Sequence, residues 1–157
     1  MLQGTLTNMN YGKPLLFFVA FLAFGVVIAH MSCIYLGEQC YSAQMAPQIL
    51  IESAKAGTLV APVATIIVSF MFFIVGLYAL SSARVITNLP FLNAAVITIS
   101  VLCIIRGILP LQLWLRKPEL MPLDGLIVGI IWLVSGVIFF AGHRKVKKEL
   151  KRSHLNE

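Results

Sequence analysis

Thr58-Leu59-Val60-Ala61-Pro62-Val63-Ala64-Thr65-Ile66-Ile67-Val68-Ser69-Phe70-Met71-Phe72-Phe73-Ile74-Val75-Gly76-Leu77-Tyr78-Ala79-Leu80 is a 23-residue stretch without one charged side chain. About 20 apolar residues at 1.5 Å each cover the ~30 Å hydrocarbon core of a bilayer. Inside lipid every backbone N–H and C=O needs a partner, and an α-helix supplies all of them within one segment. The stretch shows no alternation of apolar and polar residues, so a strand of a membrane barrel is excluded.

Three more runs share this character: about Pro14–Leu36, about Leu89–Leu109 and about Pro122–Gly142. The third could extend past Pro110 to Leu115. The chain of 157 residues is 59% hydrophobic and 11% charged, against about 25% charged in soluble domains. Too little polar surface remains to enclose four such helices in water. The sequence therefore predicts an all-α membrane protein, a four-transmembrane-helix bundle over 1–142 with spans of about 14–36, 58–80, 89–109 and 122–142. A basic tail, 143–157, follows.

The first run resembles a secretory signal, since a polar segment with Lys13 precedes it. It is too long for a signal-peptide core of about 7–15 residues. Cys33 follows Ser32 as in lipoprotein cleavage sites, but His30 and Met31 stand where Leu and a small residue are wanted. An uncleaved span is expected.

The first link, 37–57, carries Ala46, Ile49, Leu50, Ser53 and Ala54 along one helical stripe, with Ile51 off it. A short helix at the membrane surface, closed by Gly57, is one reading; an irregular loop turning at Ala46-Pro47 is the other. Basic residues set the orientation. Lys13, Arg84 and the six tail cations share one side. Lys55, Arg116 and Lys117 share the other. Both termini are therefore expected in the cytoplasm, with the protein in the cell inner (plasma) membrane.

Arg106 is the ionisable residue with the most to explain. A cation within a span costs about 2.5–3.5 kcal/mol on insertion scales. Ending the helix at Leu109 puts Arg106 near the outer surface, and continuing it to Leu115 puts it deeper. His30 lies at similar depth, and Glu38 and Asp124 sit towards the same side. Arg106, His30, Glu38 and Asp124 are the candidate ligand-binding residues of an outward-facing polar pocket. Arg106 would hold an anionic headgroup or pair with Glu38 or Asp124, and His30 could relay a proton. The plainer alternative is an Arg106–Asp124 ion pair with His30 bonded to a backbone carbonyl.

Gly125 and Gly129 have GxxxG spacing, with Gly136 seven further on, which suits close helix packing. The partner is another span or a second copy, and the internal reading is favoured. Cys33, Cys40 and Cys103 form no CxxC or zinc pattern, so no metal and no cofactor is expected. A Cys33–Cys40 bridge on the oxidising side is open. The tail suits anionic headgroups. No nucleic-acid binding is expected, and no phosphate loop, HExxH or nucleophile elbow is present.

Gly76-Leu77-Tyr78-Ala79-Leu80-Ser81-Ser82-Ala83, then Leu89-Pro90-Phe91-Leu92, then Ile105-Arg106-Gly107, resembles an uncharacterised family of small four-span bacterial membrane proteins. Their pattern is a GLYALSGAG-like turn, an RRLPLL-like helix start and an LLRG segment. Ser82 replaces a common Gly, and Val85-Ile86-Thr87-Asn88 replaces common basic residues. The resemblance implies the four-span fold and draws attention to Arg106; it implies no activity. Three functions stay in play. The first is binding of a lipid-like or small amphiphilic ligand, or of a membrane partner, at the outer face, with membrane lipids as surroundings and a homo-oligomer possible. The second is an accessory subunit of a larger membrane complex. The third is a membrane enzyme or redox helper using His30 and a cysteine.

Overall fold

A computed structural model describes residues 11–120 and 122–153. The polar start before Tyr11 and the last four residues of the tail lie outside the described residues. Among the described residues there is no strand, so the all-α class holds. The helices are α1 (Gly12–Leu36), α2 (Glu38–Ala43), α3 (Gln48–Lys55), α4 (Val60–Ser82), α5 (Leu92–Arg116) and α6 (Leu123–Ser153), with a 3-10 turn at Pro118–Leu120 before α6. Four of them, α1, α4, α5 and α6, are long and apolar enough to cross a membrane.

Two helices run beyond the shorter span limits. The third takes the extension past Leu109 that the sequence leaves open: it runs through Pro110 to Arg116, 25 residues in all, or about 37 Å. Proline lacks an N–H and its ring crowds the preceding turn, so it usually ends or kinks a helix. Here Pro110 is buried in α5. A side chain at Gly129 would meet Pro110 Cβ at 2.9 Å, so the absence of one on α6 leaves room for the ring. The helix of the fourth span likewise continues past Gly142, without a break, into the basic tail as far as Ser153.

The chain forms two compact units. The first comprises the chain up to Val19 together with Tyr78 onward; the second is Ala20–Leu77.

In the first unit α5 and α6 pack along two stripes. The buried residues of α5 are Val96, Ser100, Cys103, Gly107 and Pro110. Those of α6 are Gly125, Gly129, Gly136, Phe139, Gly142, His143 and Val146. A Cβ at Gly107 would lie 2.6 Å from both the Gly129 oxygen and the Leu133 nitrogen. One at Gly136 would lie 2.8 Å from the Ser100 oxygen. Backbone meets backbone at these points, the arrangement small residues allow where lipid offers no hydrophobic drive for helix association. The start of α1 lies on the far end of α6: a Cβ at Gly12 would meet Val146 at 2.9 Å, and one at Gly142 would meet Leu16 at 3.0 Å.

In the second unit α1 and α4 meet through Phe24. Its ring lies 5.7 Å from that of Phe73 and within 2.7 Å of where a Gly76 side chain would start. The first link folds into two short helices where one was read. Cys33, Tyr41 and Ala61 form a small buried cluster, with Cys40, Ala46, Leu50, Ile51 and Ala54 packed against it. Ala46, Leu50, Ser53 and Ala54 lie inward as the expected stripe has them, whereas Ile51 also faces inward and Ile49 is exposed. Pro47 caps α3 and the helix begins only at Gln48, so a stripe counted from Ala46 starts outside it. Ser53 Oγ accepts the Ala61 N–H at 2.9 Å, supplying one of the partners that the first turn of α4 lacks. Tyr41 donates to Thr65 Oγ1 at 2.8 Å, because that hydroxyl gives its own hydrogen to the Ala61 carbonyl.

Candidate functional site

Each residue named from the sequence has a definite place. Arg106 lies on α5, one residue before the buried Gly107, with its side chain exposed. It is 14 residues past Leu92 and 10 before Arg116, about 21 Å and 15 Å along the axis. Because α5 continues through Pro110, Arg106 lies farther from the helix end than a helix ending at Leu109 would put it. Pro110 also has no N–H to give the Arg106 carbonyl, its usual partner one turn back. Among the described residues Arg106 has no ion pair or hydrogen-bond partner. Asp124 is exposed in the first turn of α6. The Arg106–Asp124 ion pair is not formed.

Glu38 is the first residue of α2 and pairs with Lys55 Nζ at 3.8 Å, both side chains being well exposed. Such a pair contributes about 0–1 kcal/mol. His30 is half-buried on α1, with Nδ1 3.1 Å from the Val26 carbonyl. A carbonyl only accepts, so Nδ1 carries the hydrogen and Nε2 is left as the acceptor. The ring sits 5.7 Å from that of Phe72.

Cys33 and Cys40 form a disulfide with their Cα atoms 5.1 Å apart. Gln44 Nε2 donates to Cys33 Sγ at 2.9 Å and to the Ala29 carbonyl at 2.7 Å. Cys103 is a free, buried thiol. Gly125, Gly129 and Gly136 are buried on α6, with Gly129 and Gly136 against α5. No group of three His, Cys, Asp or Glu among the described residues could hold a metal ion.

A second polar cluster, in the first unit, was not foreseen. Ser82 ends α4, and Arg84 follows in the left-handed region at φ 62°. The Val85 N–H bonds the Leu80 carbonyl and the Arg84 N–H bonds the Ser81 carbonyl. This is a Schellman helix end with arginine at the position glycine usually takes. His143 on α6 lies 2.6 Å from Ser82 Oγ through Nδ1 and 3.0 Å from Asn93 Oδ1 through Nε2. Lys147 Nζ reaches the same Asn93 oxygen at 3.1 Å. An ammonium only donates, so that oxygen is the acceptor and Nε2 donates to it. In the uncharged ring Nδ1 then accepts the Ser82 hydrogen. The sequence hinted at this cluster through the four-residue spacing of His143 and Lys147, which shares one helix face.

Comparison with protein-family models, with curated proteins and with solved structures finds no match. The chain is thus defined by its own features: a small all-α protein with four apolar helices of membrane-crossing length.

Proposed function

We propose that this protein is a non-enzymatic multi-pass protein of the cell inner membrane. Through Arg106, at its outer side, it holds a lipid-like or small amphiphilic anion, or the acidic group of a membrane partner. The observation that carries this reading is Arg106 itself, well inside the length of α5, exposed, and without an internal counter-charge among the described residues. A cation so placed lowers its insertion cost by gaining a partner or by reaching the interface, and a bound anion supplies the first. A phosphate or carboxylate would meet the guanidinium with two parallel hydrogen bonds.

The same reading puts both termini in the cytoplasm, from the distribution of basic residues. The Cys33–Cys40 disulfide, which joins the end of α1 to the first link, supports that orientation, because disulfides persist on the oxidising side of a membrane. Kinship with the four-span bacterial family that Gly76–Ala83, Leu89–Leu92 and Ile105–Gly107 resemble belongs to this proposal too.

Native mass spectrometry of protein released from gentle detergent tests it. Wild type is expected to carry anionic lipid; Arg106→Leu should carry one lipid fewer while keeping its unfolding temperature, and Arg106→Lys should keep part of that difference. Equal lipid on all three proteins would overturn the reading. A redox role is the second reading, favoured by the disulfide and the Gln44 amide beside it. Loss of the cellular phenotype on replacing Cys33 and Cys40 with Ser, with lipid binding intact, would move the assignment there.

A further inference from the structure

The cleft around His143 lies in the first unit, away from Arg106 along α5 and at the end where α4 stops, α5 starts and α6 leaves its apolar stretch. Its volume is about 500 Å³, and its polar lining comes from Ser82, Arg84, Asn88, Asn93, His143 and Lys147. No carboxylate lines it; Glu149, three residues past Val146 on α6, stays outside. Two permanent cations therefore face one cleft with no internal counter-ion.

The donors are positioned and mostly unspent. Arg84 Nη1 gives one bond to Asn88 Oδ1 at 2.6 Å, leaving most of the guanidinium fork available. Lys147 gives one bond to Asn93, and that oxygen is fixed from the other side by His143. His143 is in turn held by Ser82, which is 1% exposed. The chain Ser82–His143–Asn93 thus aims Lys147 from a buried anchor. Arginine stands at a backbone conformation that a glycine would adopt freely and an L residue adopts at a cost. Leu89, Leu92 and Leu150 give the cleft an apolar border.

We propose that this cleft binds a phosphate group through Arg84 and Lys147, carried by a membrane lipid headgroup or by a free phosphate. A planar fork beside a point charge, lined by amide groups and free of acids, matches the oxygens of a phosphate. The site is separate from the one at Arg106 and stands without it.

The test is isothermal titration of the detergent-solubilised full chain with dihexanoyl phosphatidic acid, using dihexanoyl phosphatidylcholine as the neutral control. The variant is Arg84→Gly with Lys147→Gln; the glycine fits the left-handed backbone, so the fold survives. Phosphatidic acid is expected to bind wild type and to weaken at least about tenfold in the variant. Arg106→Leu should leave this binding unchanged, which separates its failure from that of the outer site. If inorganic phosphate competes, free phosphate suffices; if it does not, the lipid is the source. Binding unchanged in the double variant, or lost instead when Arg144, Lys145 and Lys148 become Gln, would overturn the proposal, since the charge would then act only as a diffuse tail.

Discussion

His143 Nδ1 lies 2.6 Å from Ser82 Oγ, joining residues 61 apart in sequence. Both are buried, at 8% and 1% exposure, so the bond has little competition from water. His143→Phe removes it and leaves the buried Ser82 hydroxyl without that partner, while Asn93 keeps Lys147. An unsatisfied buried group costs about 1–3 kcal/mol. The variant should unfold several degrees below wild type in the same detergent, whereas Ser82→Ala, which deletes the smaller group, should lose less. Circular dichroism melts check the order.

The α5–α6 contact predicts a sharp contrast between glycines. Gly107→Leu and Gly136→Leu would each drive a side chain into backbone of the facing helix, where the space is under 3 Å. Overpacking of this kind costs about 1–3 kcal/mol or more. Gly25 has no atom within 4 Å of its would-be side chain, so Gly25→Ala should be neutral or gain up to about 1 kcal/mol from helix propensity. Denaturation in mixed micelles would rank the three.

The four spans were readable because unbroken apolar runs near 20 residues long have one solution in lipid. Their ends were not. Pro110 leaves the end of the third helix open in the sequence, and the bare surface of Gly129 gives its ring room inside the helix. The tail reads only as basic charge suited to headgroups, whereas Gly12 and Leu16 of α1 pack against Val146 and Gly142 and give α6 a surface to follow. On α3 Leu50, Ser53 and Ala54 follow the sequence stripe, but the helix begins only at Gln48, and Ile51 replaces Ile49 on the inner face. The Ser82–His143–Asn93 cluster joins three helices across 50 and 61 residues, and no local pattern carries that information. Of the residues the sequence singles out, Arg106 keeps its interest because it lies well inside α5 with no ion pair or hydrogen bond among the described residues.

The disulfide closes a short loop, Cys33 to Cys40, seven residues apart. By chain entropy such a closure is worth about 2.5 kcal/mol. Replacing both cysteines with Ser should lower the unfolding midpoint to match. In the native protein a maleimide reagent should find no reactive thiol, because Cys103 is buried. Denaturation without reductant should expose one thiol, and with reductant all three. Two or more thiols before reduction would exclude the bridge.

The exposed link pair, Lys55 with Glu38, should matter little. Glu38→Gln is expected to change stability by under about 1 kcal/mol and to lose even that in high salt. Melting the variant at two ionic strengths gives the answer.

Membrane crossing itself is tested most directly by spin labels placed singly at Ile67, Ile97, Val101 and Ile131, which all face outward from their helices. After reconstitution into vesicles, collision rates with molecular oxygen and with a water-soluble nickel chelate report the surroundings of each label. Four labels bathed in oxygen and shielded from nickel are what the fold requires. Nickel access at these sites, equal to that of a label on the Lys148 end of α6, would contradict it.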